Sequence, residues 1–569
     1  MDLIRSLLIG VIAVLSFMLL TEWVNFKQQH TAPPARTAAQ ALPETTNADS
    51  PDLPSVAIVE VTDESNADDI PVISAAPEAV IAAPAASRSN AVVSASSDTM
   101  TLRIDLSGGD IVEVALPGYP ARLNTPDVPF LLLEDNDRRV YVAQSGLIGR
   151  DGIDADGRAR FTSTQSSYSL ADDEDTLVIN LTPAKPSGVD IIKRYTLHRG
   201  EYLIDVEYLV NNQTGERWQA NLFGQIKRDG SQDPSAEQSS GMGMVPFLGT
   251  ATTLPDERFV KFDFEDMREK PFKQKVSGGW IAMIQHYFLS AWIPDEALSH
   301  SYSTRVTNNG FNIGGFVSPA LVVDPGQQGS ISARFYAGPK DQYRLAEISE
   351  YLDLSVDYGW LWWIAQPLFW LLIQIFDLVG NWGVAIILLT VCIKAAFFKL
   401  SATSYRSMAN MRRVQPQMAS IKERYGEDKQ KQSQAMMDLY KKEKINPLAG
   451  CLPILVQMPV FIALYWVLME SVELRQAPFF AWITDLSVMD PYFILPLIMG
   501  ASMFFQQKLS PPMADPMQAK VMQWMPVIFT FFFLWFPAGL VLYWVTNNLL
   551  SIAQQWYITR QIEQAGAKS

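Results

Sequence analysis

The chain has almost no cysteine or histidine. Its 569 residues include two cysteines, Cys392 and Cys451, and four histidines, His30, His198, His286 and His300. Both cysteines fall in or beside apolar runs, which argues against a disulfide framework and a thiolate metal site. The histidines are widely spaced and make no metal-ligand pattern. The chain also lacks any GxxxxGK[ST] sequence, so no phosphate loop of that type powers it by nucleotide hydrolysis. Acidic residues are nearly missing from the apolar runs of the C-terminal third, where Glu470 stands at a run's end. Basic residues are scarce in the middle: residues 24–357 hold 27 Lys+Arg against 46 Asp+Glu. An acidic balance of this size does not point to a nucleic-acid partner.

What is present is strongly segregated. Residues 3–23, LIRSLLIGVIAVLSFMLLTEW, are apolar for about the length of a bilayer span. No small-x-small cleavage site follows Leu20, so residues 1–23 are read as an uncleaved anchor in preference to a signal peptide. Residues 24–98 follow, rich in Ala, Pro, Ser, Thr and Asp. That composition buries too little apolar surface to order itself and predicts a disordered tether. From Thr101 the texture becomes strand-like: TLRIDL, DIVEVAL, RRVYVAQ, DTLVINLT and EYLIDVEYLV, bounded by turn signals such as Ser107-Gly108-Gly109-Asp110. His198-Arg199-Gly200-Glu201 reads as a hairpin turn. Many strands without intervening helices predict a large antiparallel β-sandwich, closed by a helix within 340–353. The whole domain covers 99–355.

The membrane part begins after Tyr358. Residues 359–382 are Trp-rich and contain Pro367. Aromatic side chains favour the interface, so 356–381 is read as an interfacial amphipathic helix, with a spanning helix as the alternative. Spans are predicted at about 382–400, 451–470, 491–507, 521–537 and 538–556, within a five-span core over 382–557. Residues 558–569 make a short tail. Between the first two of these spans, residues 399–444 carry 11 basic and 5 acidic residues, whereas 471–490 carries one basic and three acidic ones. The positive-inside rule then puts 399–444 in the cytoplasm and 471–490 outside. Six spans place both termini in the cytoplasm and the acidic domain outside. The cytoplasmic segment 401–446 reads as two amphipathic helices turning near Gly426-Glu427-Asp428. It carries Met408, Met411, Met418, Met436 and Met437 among its basic residues, which suits either adaptable apolar partners or anionic lipid.

One residue breaks the pattern. Lys394 lies inside WGVAIILLTVCIKAAFFKL. A charge in a span costs about 2.5–3.5 kcal/mol on insertion scales and is a functional candidate by default. Snorkelling is the competing reading, because the cytoplasmic end at Leu400 is roughly 9 Å away at the helical rise. Polar groups on other spans favour a shared wet groove: Thr390 one turn earlier, Gln506 and Gln507, and Asn547, Asn548, Gln554 and Gln555. Taken singly, each of these is more often an interhelical hydrogen bond or the polar end of a helix.

At this point residues 359–556 resemble the YidC family of membrane protein insertases. The stretches that carry the resemblance include GNWGVAIILLT, SYRSMANMRRVQPQM, YKKEKINPLAGCLPILVQMPVFIALYWVL, SVELRQAPF, DPYFILPLIMG and MPVIFTFFFLWFPAGLVLYW. The resemblance implies a helical polytopic membrane bundle of six spans, five forming the core. It also implies an all-β supersandwich periplasmic domain, similar in fold to sugar mutarotases, in the cell inner membrane. The implied activity is insertion and folding of integral membrane proteins through a hydrophilic groove open to cytoplasm and lipid, without catalysis or a cofactor. Implied partners are nascent membrane proteins, membrane lipids and the Sec translocon with its accessory subunits. Ribosome contact, if made, would use the basic hairpin. The family's groove cation is usually arginine; here Lys394 stands at that position, which keeps the charge but loses the bidentate fork. The implied groove set is Lys394, Thr390, Gln507 and Trp544, with Tyr543 beside it.

Two other classes of function are weaker. A coupled transporter using Lys394 needs acidic partners in other spans and repeat symmetry. A sugar enzyme in the β domain needs catalytic groups, and His286, in the aromatic run WIAMIQHYFLSAW, reads as core.

Overall fold

A computed structural model describes residues 92–185, 188–235, 246–426, 428–443, 452–509 and 516–566. The expected anchor at 1–23, most of the expected tether and Cys451 lie outside them. The described chain divides into two compact units. One holds 92–402 with 452–560, and the other holds 403–443 with 561–566.

The β domain is two sheets face to face, one of ten strands and one of nine. The first strand is Val92–Ser96, which pairs antiparallel with Thr101–Asp105. Residues 92–98 therefore belong to the sandwich, not to the tether as the sequence predicted. Val93 and Ala95 alternate into the core, a two-residue period too short to stand out in an Ala- and Ser-rich stretch. The expected hairpin at 198–201 joins Asp190–His198 to Leu203–Asn211. Gly200 turns it at φ +75°, a conformation costly to a side chain with a Cβ. In Asp190–His198, the inward positions are Ile191, Lys193, Tyr195 and Leu197. Alternation thus drives a lysine into the core. Its ammonium donates to the carbonyls of Gly108, Gly109 and Ser145 at 2.9–3.0 Å, so the buried charge is fully hydrogen-bonded. The expected closing helix is Gln342–Ile348, capped by the Asp341 carboxylate.

One apolar cluster runs from the nine-stranded sheet, through Trp280, Leu289 and Tyr336, into the helices at Leu464, Ile386 and Leu540. The two parts therefore share a core. Polar contacts pin the seam. Lys340 and Glu470, about 3 and 4 % exposed, pair at 2.7 Å. His286, read from sequence as core, is buried, and its Nε2 lies 2.8 Å from the Met469 carbonyl. Arg475 donates to the Pro120 carbonyl at 2.8 Å. In the sequence Glu470 looked like a polar helix end, and only the fold supplies its partner.

The apolar helices that lie wholly or mainly in the same unit are Trp362–Val379, Trp382–Ala396, Leu452–Glu470, Ile494–Leu509, Pro516–Phe532 and Ala538–Gly566. Among the described residues, only Gly359–Val379 is long and apolar enough to cross a membrane as one helix. Trp382–Ala396 with Phe398–Arg413 passes only as a pair bent by 68°. The stretch expected to span at 382–400 is therefore broken at Phe397, with no glycine or proline to announce the bend. Length and apolarity alone do not recover six spans. The final helix has the length, but Asn547, Asn548, Gln554 and Gln555 interrupt its apolar run. The helix that does qualify is the one read as interfacial, and it exposes Trp362, Trp363 and Trp370.

The arm that leads into the second unit, expected as one helix, breaks at Val414 into Phe398–Arg413 and Gln415–Arg424. Lys429–Lys442 follows, capped by Asp428 in the expected turn. Val414 and Leu439 form its small core, with Met411 and Met418 packed against them.

Two predictions concern the seam. Removing one member of a buried ion pair strands the other, at a cost of about 3–5 kcal/mol, whereas an apolar pair of similar size is often neutral. Lys340→Ala or Glu470→Ala is expected to lower thermal stability in detergent by that amount, and Lys340→Met with Glu470→Leu to restore most of it. Nearby, Glu473 has a buried carboxylate oxygen without a hydrogen-bond partner among the described residues. Burial pushes its pKa up from 4.5 to about 7. The folded state then holds a proton that the unfolded chain releases, so this group's stabilising contribution falls as pH rises from about 4.5 to about 7 and levels off above. Melting temperature measured against pH is expected to lose this component in Glu473→Gln.

Candidate functional site

The Lys394 helix starts at a sharp junction. Gly380, at φ +66°, ends the preceding helix, and the Asn381 side chain caps the next by accepting from the Val384 N–H at 3.0 Å. Lys394, the thirteenth residue of this capped helix, lies beside the final helix. Its Nζ donates to the Ser551 hydroxyl at 2.7 Å. Ser551 in turn donates to the Asn547 carbonyl, also at 2.7 Å. Among the described residues, no carboxylate lies within ion-pair distance of Lys394. A recess of about 10 Å³, near the lower limit for one water, opens beside it between Phe397, Leu400, Val456 and Gln457.

The final helix carries the hydrogen bonds that organise this region. Gln457 donates to the Asn547 side-chain oxygen and, at 3.3 Å, to the Tyr543 hydroxyl. Asn548 donates to Ser502 at 3.0 Å. Gln554 reaches the Phe398 carbonyl at 3.2 Å, and Gln555 the Leu509 carbonyl at 2.9 Å. Positions 547, 548, 551, 554 and 555 recur at helical spacing and so share one face. For the asparagines and glutamines this face is interhelical hydrogen bonding, the alternative that the sequence left open, and not a free groove lining.

The expected site residues separate accordingly. Lys394 is half-buried at the recess. Thr390 is fully buried, and its hydroxyl donates to the Ile386 carbonyl at 2.7 Å. It is therefore backing and not groove surface: a hydroxyl with no water at hand bonds its own helix. Tyr543 is likewise buried. Trp544 is half-buried among aromatic rings, 4.7 Å from Phe461 edge-on and 5.3 Å from Phe533, and its indole N–H has no acceptor among the described residues. Gln507 is half-buried, and among the described residues no hydrogen bond joins it to Lys394. Sequence reasoning missed Ser551 and Gln457. Ser551 is four residues after Asn547 and three before Gln554, so its place on the polar face was readable. Gln457, one polar residue in an apolar helix, gave a fainter form of the signal noticed at Lys394.

Two family models match in succession: the YidC periplasmic domain over residues 92–371, and the 60Kd inner membrane protein over residues 374–565. The membrane protein insertase YidC of Stutzerimonas stutzeri (strain A1501) is 54 % identical over 574 residues, covering all of both chains. That of Pseudomonas entomophila (strain L48) is 52 % identical over 571 residues, again covering all of both. The chain belongs to the YidC family. A crystal structure of an active YidC insertase with its first transmembrane domain resolved is also similar, at 19 % identity and TM-score 0.38, covering 83 % of this chain and 93 % of that one. For a YidC-family chain, the sandwich is the periplasmic domain of an inner membrane protein, which agrees with the acidic balance of residues 24–357.

The interhelical bonds are testable. A side-chain hydrogen bond between membrane helices contributes about 0.6 kcal/mol on average and up to about 1.7. Asn548→Ala is expected to destabilise the detergent-solubilised protein within that range. A double-mutant cycle with Ser502→Ala, read by thermal unfolding, should show coupling of the same size.

Proposed function

We propose that this chain inserts and folds integral membrane proteins, acting on nascent membrane-protein segments. The observation that carries the mechanism is Lys394: an ammonium without a carboxylate partner, half-buried on an otherwise apolar helix beside a water-sized recess. Moving a client's polar segment through about 30 Å of hydrocarbon is costly. A cation and water set part-way in shorten that path. Lys394 attracts acidic groups of the outward-bound segment while the client's apolar helix slides along the lipid-facing side. Burial of that helix in lipid supplies the driving force, so no nucleotide is required. In this reading Trp544 and its aromatic neighbours form the apolar wall that meets the client.

The reading includes a six-span arrangement. Residues 1–23 form the anchor, 24–91 the tether, 356–381 an interfacial helix, and the five-span core lies within 382–557. Both termini are cytoplasmic. This topology is supported by the charge contrast between 399–444 and 471–490. Work with the Sec translocon and its accessory subunits rests on family membership. Ribosome contact through 401–446 rests on that segment's basic charge.

The test compares Lys394 variants in reconstituted vesicles. Lys394→Ala is expected to slow insertion of clients with acidic outer segments about tenfold, equivalent to roughly 1.4 kcal/mol. Lys394→Arg is expected to retain activity, and clients with uncharged outer segments to respond little. Equal insertion of acidic clients by the alanine variant sinks the charge role.

A further inference from the structure

The hydroxyl that meets Lys394 has an unusual constraint. A serine carries one proton and two acceptor lone pairs. Ser551 donates that proton to the Asn547 carbonyl one turn earlier in its own helix, at 2.7 Å. Only its lone pairs remain for the ammonium, which donates to it at 2.7 Å. Ser551 is itself buried, at about 3 % exposure, so this acceptor is fixed in place by packing as well as by its bond. Asn547, whose carbonyl holds the proton, is tied in turn to Gln457 of the neighbouring helix. The acceptor's orientation is thereby locked through three residues on two helices.

Among the described residues, the two fully buried lysines are held differently from Lys394. Lys340 has the Glu470 carboxylate, and Lys193 has three carbonyls. Lys394 alone of the three rests on a neutral hydroxyl. A hydrogen bond from an ammonium to a hydroxyl is weaker than one to a carboxylate, because only the latter has charge on both sides. An acidic group arriving in the recess therefore displaces the hydroxyl, whereas it does not displace a built-in carboxylate.

We propose that Ser551 is the positioning residue for Lys394, a neutral acceptor that holds the ammonium at the recess and yields it to an acidic group of the client. This rests on the charge reading of Lys394 given above. It explains why the position opposite a membrane cation is filled by a hydroxyl: an alanine leaves the ammonium unplaced, and an acid neutralises it.

The pairing and its use are measured separately. Pairing is read by acylation of Lys394 with a membrane-permeant N-hydroxysuccinimide ester, followed by peptide mass spectrometry on the full-length protein in vesicles. Ser551→Ala is expected to label several-fold faster than the unmodified chain. Ser551→Thr is expected to label at the original rate, since threonine makes the same backward bond in this unit at Thr390 and Thr530. Use is read by insertion. Ser551→Ala is expected to slow acidic clients several-fold, with Ser551→Thr restoring the rate. Ser551→Asp is expected to slow them as far as Lys394→Ala does, and uncharged clients serve as the control. Unchanged labelling in Ser551→Ala overturns the proposal. So does an equal loss for acidic and uncharged clients, which is what a purely structural serine produces. If Lys394→Ala itself inserts acidic clients normally, the charge reading falls, while the labelling still decides whether Ser551 positions the amine.

Discussion

A polar side chain within a membrane helix has no water to fall back on, so it finds a partner or destabilises the helix that carries it. The final helix, Ala538–Gly566, meets that constraint at five positions on one face. Through Asn547, Asn548, Ser551, Gln554 and Gln555 it bonds to Leu452–Glu470, to Ile494–Leu509, to the Lys394 helix and to the backbone just beyond it. These bonds set the helices around Lys394, which itself meets a neutral hydroxyl. The candidate site is thus the residue left over when the other polar groups of this face have been satisfied by one another.

The same logic separates the buried lysines. A charge removed from water is tolerable when hydrogen bonds or an opposite charge surround it. Lys193 and Lys340 meet that condition and serve the fold, the first inside the sandwich and the second at the seam with the helices. Lys394 meets it only in part and stands beside open space. The seam matters to the site because Glu470 and Gln457 lie at opposite ends of one helix, Leu452–Glu470. One end is pinned by Lys340, and toward the other Gln457 meets Asn547. The β domain is in this way joined to the helix that carries Gln457.

Much of this was legible in the sequence. Alternation and turn signals gave the sandwich and its 198–201 hairpin, because period-two burial leaves a clear trace. The anomaly at Lys394 was visible because a lysine stands out among Ile, Leu, Val and Ala, although its position alone also allowed snorkelling. Other features were hidden. The strand at 92–96 is too short and too rich in small residues to show its period. The bend at Phe397 has no breaker residue. Polar residues in helices announce that partners are needed but not which partners, so Asn547 and Gln555 were grouped with a wet groove when they bond to neighbouring helices. Thr390 is a similar case: its hydroxyl closes on its own backbone, a solution open to threonine that sequence spacing does not reveal. Contacts across long separations, such as Lys340 with Glu470, exist only once the chain has folded.

In the proposed mechanism, clients pass the polar recess at Lys394 and the aromatic wall at Trp544. The most direct measurement is site-specific photocrosslinking from probes at 394 and 544 to a stalled nascent membrane protein, with probes on the nine-stranded sheet at 178 and 332 as comparison. The account predicts strong adducts at 394 and 544, moving along the client as its length increases. Adducts confined to the periplasmic sheet would contradict it.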